Sequence, residues 1–390
     1  MQKSKIFGIQ KEVFWLGIVS FLTDVSSEMI FSVLTIFMSA ILGASSFIIG
    51  FMEGLSDLSA SSLDYVSGYF SDKTGKRKIF ALFGYGFSTL AKTSLIFFNN
   101  IAGVFSFRII ERLGKSIRGA PRDALISSMV EKEKLGYAFG FHKALDKAGA
   151  IAGPFIGYFI LTLLGQNFQS FKLIFIVATI PAILSVLVLK FFIHEKVQPV
   201  TKVRENIFTN YKNLGEHFHK YLKVAIFFSF AYFSYAFLLL KAYAVGFQIK
   251  DVVLLYAVFN VSFTLLSIPI GKIGDRIGRK KIILAEYLIY ALMCCGFIFA
   301  TDKISVILLF LVYGIFYAID EGQTKAYISD ITPQEHRASA IGLYNTVTSL
   351  AYLPASLLAG WLWYSYSPSM AFGAAGAVAL IASLAFVRIK

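Results

Sequence analysis

The sequence sets ionisable side chains inside long apolar runs. Carboxylates stand at Asp24, Glu28, Glu53, Asp57, Asp64, Glu111, Asp146, Glu286, Asp320 and Glu321. Bases stand at Lys92, Arg108, Arg112, Lys115, Lys143, Lys147, Lys241 and Lys325. On insertion scales each such charge costs about 2.5–3.5 kcal/mol at a bilayer centre, so it normally faces a bundle interior or a wet cavity. The chemistry open to these groups is ion pairing, proton exchange and the holding of a polar or charged solute. Asp24 and Glu28 are four residues apart and share a helix face, as do Glu53 and Asp57. Arg108, Glu111, Arg112 and Lys115 form a stripe on one segment. Asp320, Glu321 and Lys325 fall on another, and Lys241 on a third. A carboxylate whose burial or arginine neighbour changes can take up and release a proton. Asp24, Glu28, Glu111 and Asp320 are the candidate carriers. His142, Lys143, Asp146 and Lys147 cluster, with His142 and Asp146 on one face; with Glu53 and Asp57 they read as gate residues.

Helices must position these groups, and the composition says where those helices run. Of 390 residues, 57% are hydrophobic and only 15% charged, against about 25% charged in soluble domains. Apolar runs of about 20 residues recur along the chain, long enough to cross about 30 Å of hydrocarbon. Twelve helices are predicted: 14–40, 46–70, 79–98, 102–127, 138–162 and 172–192, then 222–246, 251–270, 282–300, 304–328, 338–363 and 368–387. Both termini are placed in the cytoplasm by loop charge. With that orientation 26 of the 37 Lys and Arg lie in cytoplasmic segments, and only Lys172, Lys250 and Lys303 in the opposite loops. The first apolar run is too long for a cleaved signal and carries Asp24 and Glu28, so the chain is expected to keep it. The net charge of +14 follows from these basic loops and calls for lipid head groups rather than nucleic acid. Cys294 and Cys295 are adjacent, cannot pair on a helix, and read as small buried hydrophobes. No metal-ligand spacing is present, and no cofactor is expected.

The polar stretch 193–221 separates six helices (1–192) from six more (222–390). Within it Ile207, Tyr211, Leu214, Phe218 and Leu222 recur at helical spacing. A helix lying on the membrane surface and a flexible linker both fit that pattern.

Two loops repeat each other. Gly68-Tyr-Phe-Ser-Asp72-Lys-Thr-Gly75-Lys76-Arg77-Lys78 follows the second helix, and Gly271-Lys-Ile-Gly-Asp275-Arg-Ile-Gly278-Arg279-Lys-Lys281 follows the eighth. Gly, Asp, Gly and the basic run coincide at a constant offset, as in transporters built from two parallel halves. At these residues the chain resembles the major facilitator superfamily, whose signature loop is G-x-x-x-D-R-x-G-R-R, with Lys73 standing where Arg is common. The resemblance covers the whole chain and implies an all-α membrane protein of twelve helices, in two six-helix bundles around a central cavity. It also implies that Asp72, Lys76 and Asp123 form a latch that steadies the outward-facing state. A second match, Gly149-Ala-Ile-Ala-Gly153-Pro154-Phe-Ile-Gly157-Tyr158, is similar to the family's antiporter motif, with Tyr158 in place of the last Gly. It implies the drug/proton antiporter type. Small residues four apart also let helices touch, which is the plainer reading of the same run. A third, Arg108-Ile-Ile-Glu111-Arg112-Leu-Gly114, resembles R-x-x-Q-G-x-G, in which the Arg is associated with proton coupling; Glu111 and Arg112 depart from it.

In that family helices 1, 4, 7 and 10 line the cavity. The resemblance thus places Asp24, Glu28, Arg108, Glu111, Arg112, Lys115, Lys241, Asp320, Glu321 and Lys325 on the substrate and proton path. The expected function is secondary transport coupled to protons. The solute would be an organic anion, a zwitterion or a carboxylate chelator, with export favoured. Uptake by proton symport and multidrug efflux are the alternatives. The sequence carries no nucleophile elbow or phosphate loop of an enzyme. The expected setting is a bacterial inner membrane, the expected partners are a small solute, protons and lipid, and the expected state is a monomer.

Overall fold

The structure, a computed structural model, describes residues 5–6, 9–130, 134–195, 214–333 and 336–389. The side chains of Lys5, Ile9, Ser61, Tyr65, Asp72 and Ala338 lie outside that description. After a two-residue hairpin (Lys5–Ile6 with Ile9–Gln10) the described chain is helical. The helices are α1 (Lys11–Ile36), α2 (Ser46–Ser62), α3 (Asp64–Thr74), α4 (Arg77–Leu95), α5 (Ile101–Met129), α6 (Leu135–Leu164) and α7 (Phe168–Phe192). There follow α8 (Glu216–Ser229), α9 (Ala236–Ala244), α10 (Ile249–Ile277), α11 (Arg279–Phe299), α12 (Lys303–Ile331), α13 (Arg337–Ser365) and α14 (Pro368–Val387). Seven helical stretches among the described residues are long and apolar enough to cross a membrane.

Burial is inverted relative to a soluble protein. Phe83, Leu163 and Phe299 are 71%, 80% and 74% exposed, whereas Lys92, Arg108 and Glu111 are at most 1% exposed. Exposed apolar side chains on this scale suit lipid tails as solvent.

Two predicted helices are interrupted, although neither break has a proline or glycine to cause it. The second breaks at Leu63 because a side chain enters the backbone ladder: Leu63 N–H donates to Ser116 Oγ at 2.8 Å. The seventh breaks between Ser229 and Ala236. There Tyr290 Oη donates to Ala231 O at 2.8 Å, and Ser234 N–H donates to Ser356 Oγ at 3.4 Å. Neighbouring helices thus satisfy the freed backbone groups, the condition for an irregular segment at membrane depth. The first helix ends in a π-helical turn, Phe37–Ile41, whose Phe37 ring meets Phe168, Phe171 and Phe175 of α7.

The stretch around the expected surface helix resolves in part. Ile207 and Tyr211 lie outside the described residues. Phe218 and Leu222 belong to α8, which starts at Glu216 and is continuous into the seventh helix.

The chain forms two compact units, one of residues 1–42 and 59–204 and the other of 43–58 and 205–390. Residues 43–58, which the sequence pattern groups with the first six helices, cluster with the second unit. There Ser46 Oγ donates to Gly360 O at 3.2 Å, and a methyl group on Gly54 would lie 2.9 Å from Leu353 Cα. In the first unit α1 packs on α6 and α7, and α4 on α5 and α7. In the second, α10 packs on α12, and α11 on α12 and α14.

Candidate functional site

The paired loops show what their residues hold. Arg77 Nη1 donates to Ala124 O at 3.5 Å, and Arg279 Nη1 donates to Ala326 O at 3.3 Å. Lys78 Nζ donates to Lys190 O at 2.8 Å, and Lys280 Nζ donates to Ile389 O. The arginine acceptors lie on α5 and α12, and the lysine acceptors lie on α7 and just beyond the end of α14. The counterpart of Arg279 is therefore Arg77, one residue later than the motif alignment, which matched it to Lys76. The cause is local. In the first loop Gly75 is left-handed (φ 66°) and Lys76 intervenes before α4; in the second, Gly278 (φ 95°) leads directly into α11. Arg279 also binds Asp275 at 3.1 Å and Asp330 at 2.6 Å. In the first loop Glu195 closes the corner by accepting from the Arg77 and Lys78 backbone N–H groups at 2.8 and 2.9 Å, an anion at a helix amino terminus. Asp123 is held by its neighbour Arg122, at 2.8 Å. Gly68 faces Ala120, 3.2 Å from a methyl placed on it, while Gly271 looks toward Gln323.

Small residues then bring the charged helices together. A methyl group on Gly114 would lie 2.8 Å from Ser88 N, and one on Gly84 would lie 2.7 Å from Gly114 O, so α4 and α5 touch backbone to backbone. On Gly153 it would meet Met29 N and Val25 O at 2.7 Å, and Gly149 is pressed as tightly against Phe21. The antiporter-like run is thus the surface on which α6 meets α1, with Pro154 and Gly157 buried beside it.

Between α1, α4 and α5 this packing builds a buried cationic cluster. The Arg108 guanidinium carbon lies 4.0 Å from the centre of the Phe31 ring and that of Arg112 lies 5.0 Å from the same ring. One aromatic ring from α1 therefore carries both arginines of the α5 stripe, a cation–π arrangement that fixes two planar donors. Glu111, between them in sequence, accepts from Ser88 Oγ at 3.1 Å. Lys92 Nζ donates to Ser27 Oγ at 2.8 Å and Thr23 O at 3.5 Å. Arg118 lies over Tyr85 at 4.7 Å. Glu111 Oε2, Arg112 Nε and Arg118 Nη1 are buried without a hydrogen-bond partner among the described residues. Lys115, on the same stripe, is exposed. Asp24 and Glu28 stand half-buried on α1, and Asp146 of α6 accepts from Ser20 Oγ at 2.6 Å beside Lys143 at 3.6 Å. His142 is buried one turn before Asp146.

The second unit carries a different polar core. Lys241 is buried on α9. Asp320 and Glu321 are half-buried and Lys325 exposed on α12. Glu286 of α11 is buried and accepts from Thr324 Oγ1 at 3.4 Å. Around them stands a wall of rings. Tyr232 meets Tyr352 at 4.9 Å and Phe316 at 5.6 Å, Phe259 meets Tyr313 at 4.8 Å, and Tyr221 stacks on Tyr344 at 6.0 Å. Glu53, grouped with this unit, accepts from Ser234 Oγ at 3.2 Å, and Asp57 lies within electrostatic reach of Tyr313. Sequence reasoning placed Lys92 and Glu286 inside helices but not in the site, and overlooked Phe31, Ser27 and the tyrosine wall. Twenty tyrosines in an apolar chain were the available signal.

Helices with lipid-suited exteriors, charged interiors and the same basic loop in both units define a multi-pass membrane transporter of the secondary kind. The chain belongs to the Major Facilitator Superfamily, whose family profile matches residues 16–252 and 222–390. An MFS-type transporter of Methanocaldococcus jannaschii is 36% identical over 382 residues, covering 96% of this chain and 94% of that one. The multi-drug resistance efflux pump PmrA of Streptococcus pneumoniae is 27% identical over 342 residues, covering 82% and 80%. Among solved structures, a mutant of the nucleoside transporter NupG superposes with a TM-score of 0.81 at 14% identity, covering 97% of this chain and 99% of that one. A mutant of the peptide transporter POT gives 0.81 at 12% identity, covering 99% and 96%. At such identities these two establish the fold.

Proposed function

We propose that this protein couples the movement of a small anionic or zwitterionic solute to protons by alternating access, with export favoured. It acts as a monomer in an inner (cytoplasmic) membrane, with twelve crossings and both termini in the cytoplasm, and it carries out transport rather than covalent chemistry. The observation that supports this reading is the cluster of Arg108, Arg112, Arg118 and Lys92 around Glu111, with buried donors on Arg112 and Arg118 that meet no acceptor among the described residues. Buried charge is costly unless compensated, and a carboxylate or other anion matches paired guanidiniums. A hydroxycarboxylate chelator of the siderophore class falls within this chemistry. Asp24, Glu28, Glu111 and Asp320 are the carboxylates available to carry protons. Asp72, Lys76 and Asp123 serve as the conformational latch of the family. The similarity to PmrA favours a second reading, multidrug efflux, in which the ring wall of the second unit would hold flat or cationic compounds.

The test begins with untargeted metabolite comparison of cells with and without the gene, followed by flux of the compound found in proteoliposomes under an imposed pH gradient. A compound bearing an anionic group is expected to accumulate in cells lacking the gene, and Arg108→Ala to abolish its gradient-driven flux. Unimpaired driven flux in that variant rejects the coupling role of Arg108. A compound that is depleted instead assigns uptake.

A further inference from the structure

The helix contact between α1 and α6 contains a feature that packing alone does not call for. Asp24 of α1 and Asp146 of α6 are brought to the same spot: Ser20, one helical turn before Asp24, reaches the Asp146 carboxylate at 2.6 Å, and Gly149, three residues after Asp146, is pressed against Asp24 Cβ. Carboxylates only accept; a hydrogen bond between two of them requires a proton on one. Two carboxyl groups in contact cannot both stay ionised, so such a pair holds one proton between its oxygens. The remaining contacts fit a singly charged pair. Ser20 Oγ donates to Asp146 Oδ1 at 2.6 Å, and Lys143 Nζ stands 3.6 Å from Oδ2 on a side chain that is 52% exposed. The tight seat of α6 on α1 holds the pair together: a methyl on Gly149, three residues beyond Asp146, would lie 3.1 Å from Asp24 Cβ.

We propose that Asp24 and Asp146 form one proton-binding site, with a single proton bridging their carboxyl groups and Ser20 orienting Asp146. This rests on the transport reading and extends it, because it moves Asp146 from the gate to the proton path and makes the carrier a pair. The charged and titratable groups that face the pair are Glu28 on α1, Lys92 on α4, Lys115 and Arg122 on α5, and His142 and Lys143 on α6. The bound proton leaves to water through Asp146, whose side chain is 18% exposed. On leaving, it places a second negative charge beside Glu28 and Lys92, and so reaches the cationic cluster.

The experiment is infrared spectroscopy of the purified protein in lipid vesicles, in normal and heavy water, over a pH series, with protons as the only ligand. A band from a protonated, hydrogen-bonded carboxyl is expected at neutral pH. Asp24→Asn and Asp146→Asn should each remove that same band, and the double variant should remove no more. Ser20→Ala, which keeps both carboxyls and disturbs neither helix, should shift the pH at which the band is lost. Two separate bands, each removed by one substitution, or a carboxyl spectrum that neither substitution changes in monodisperse protein, would overturn the pair. The readout needs no solute and no flux. An intact band with no proton-driven transport would therefore count against the transport reading and leave the site standing.

Discussion

The two units hide their polarity in different ways. The first buries formal charge: Arg108, Glu111, Arg118 and Lys92 are all inside. The second buries mostly phenols: Tyr221, Tyr287, Tyr290 and Tyr313 are inside, with Glu53, Lys241 and Glu286 as its buried charges. A phenol needs one hydrogen-bond partner and no counter-charge, whereas a guanidinium without a counter-charge is expensive. The phenol core needs little charge compensation, while the arginine core depends on Glu111 as its buried counter-charge. The same basic loop built twice does not make two equal halves: the first unit concentrates buried guanidiniums and the second buried phenols.

Substitutions can break this contrast. The largest effect is expected from Glu111→Gln, which removes the carboxylate enclosed by Arg108, Arg112 and Lys92 and should cost about 3–5 kcal/mol. Thermal unfolding in detergent measures it; an unchanged midpoint would mean that the cluster is already compensated by water or lipid. Next, Gly114→Leu should cost about 3 kcal/mol, because its side chain must enter the α5–α4 contact at Ser88. A monodisperse, wild-type-like size-exclusion peak would show that the contact is loose. In the second unit Tyr290→Phe removes one neutral hydrogen bond, to Ala231 O, and should cost only about 1 kcal/mol. A loss as large as that of Glu111→Gln would erase the distinction between the two cores. Asp330→Asn breaks a pair with Arg279 whose side chains are 29% and 50% exposed, and should cost at most about 1 kcal/mol, less at high salt.

The smallest effect concerns pH. Asp302 lies in the loop before α12, where Ser305 N–H and Oγ donate to its carboxylate at 2.9 and 2.5 Å and hold its pKa below the usual range. A lowered folded pKa means that the capping contribution is complete above the ordinary value of about 3.9 and is lost as pH falls through the folded value. Asp302→Ala should therefore lower the melting midpoint at pH 7 and converge on wild type in acid. Equal deficits at both pH values would assign the effect to packing.

Much of this was open to reading in the chain. Apolar run lengths located most helices, because the bilayer sets the length and the loops set the charge; α10 runs to Ile277, seven residues past the predicted end, and two predicted helices are interrupted. The paired Gly-Asp-Gly loops named the family because each glycine answers a local backbone demand, such as the left-handed Gly75. The stripe from Arg108 to Arg112 was legible from helical spacing. The breaks at Leu63 and Ser229 were not, since their cause is a hydroxyl from a helix distant in sequence. Nor was the role of Phe31, which looks like any other apolar residue until two guanidiniums lie on it.

The sequence by itself determined the recurrence of apolar segments, the repeat and the placing of charges within helices, because these follow from hydrophobicity and spacing along one chain. Only the tertiary structure decided which charges meet. It gave Arg77 the role of Arg279, seated Arg108 and Arg112 on Phe31 and brought Asp24 and Asp146 to the same α1–α6 contact. Pairing of buried groups depends on distances between helices, and those are set by small residues in contact across the fold, which no local pattern records.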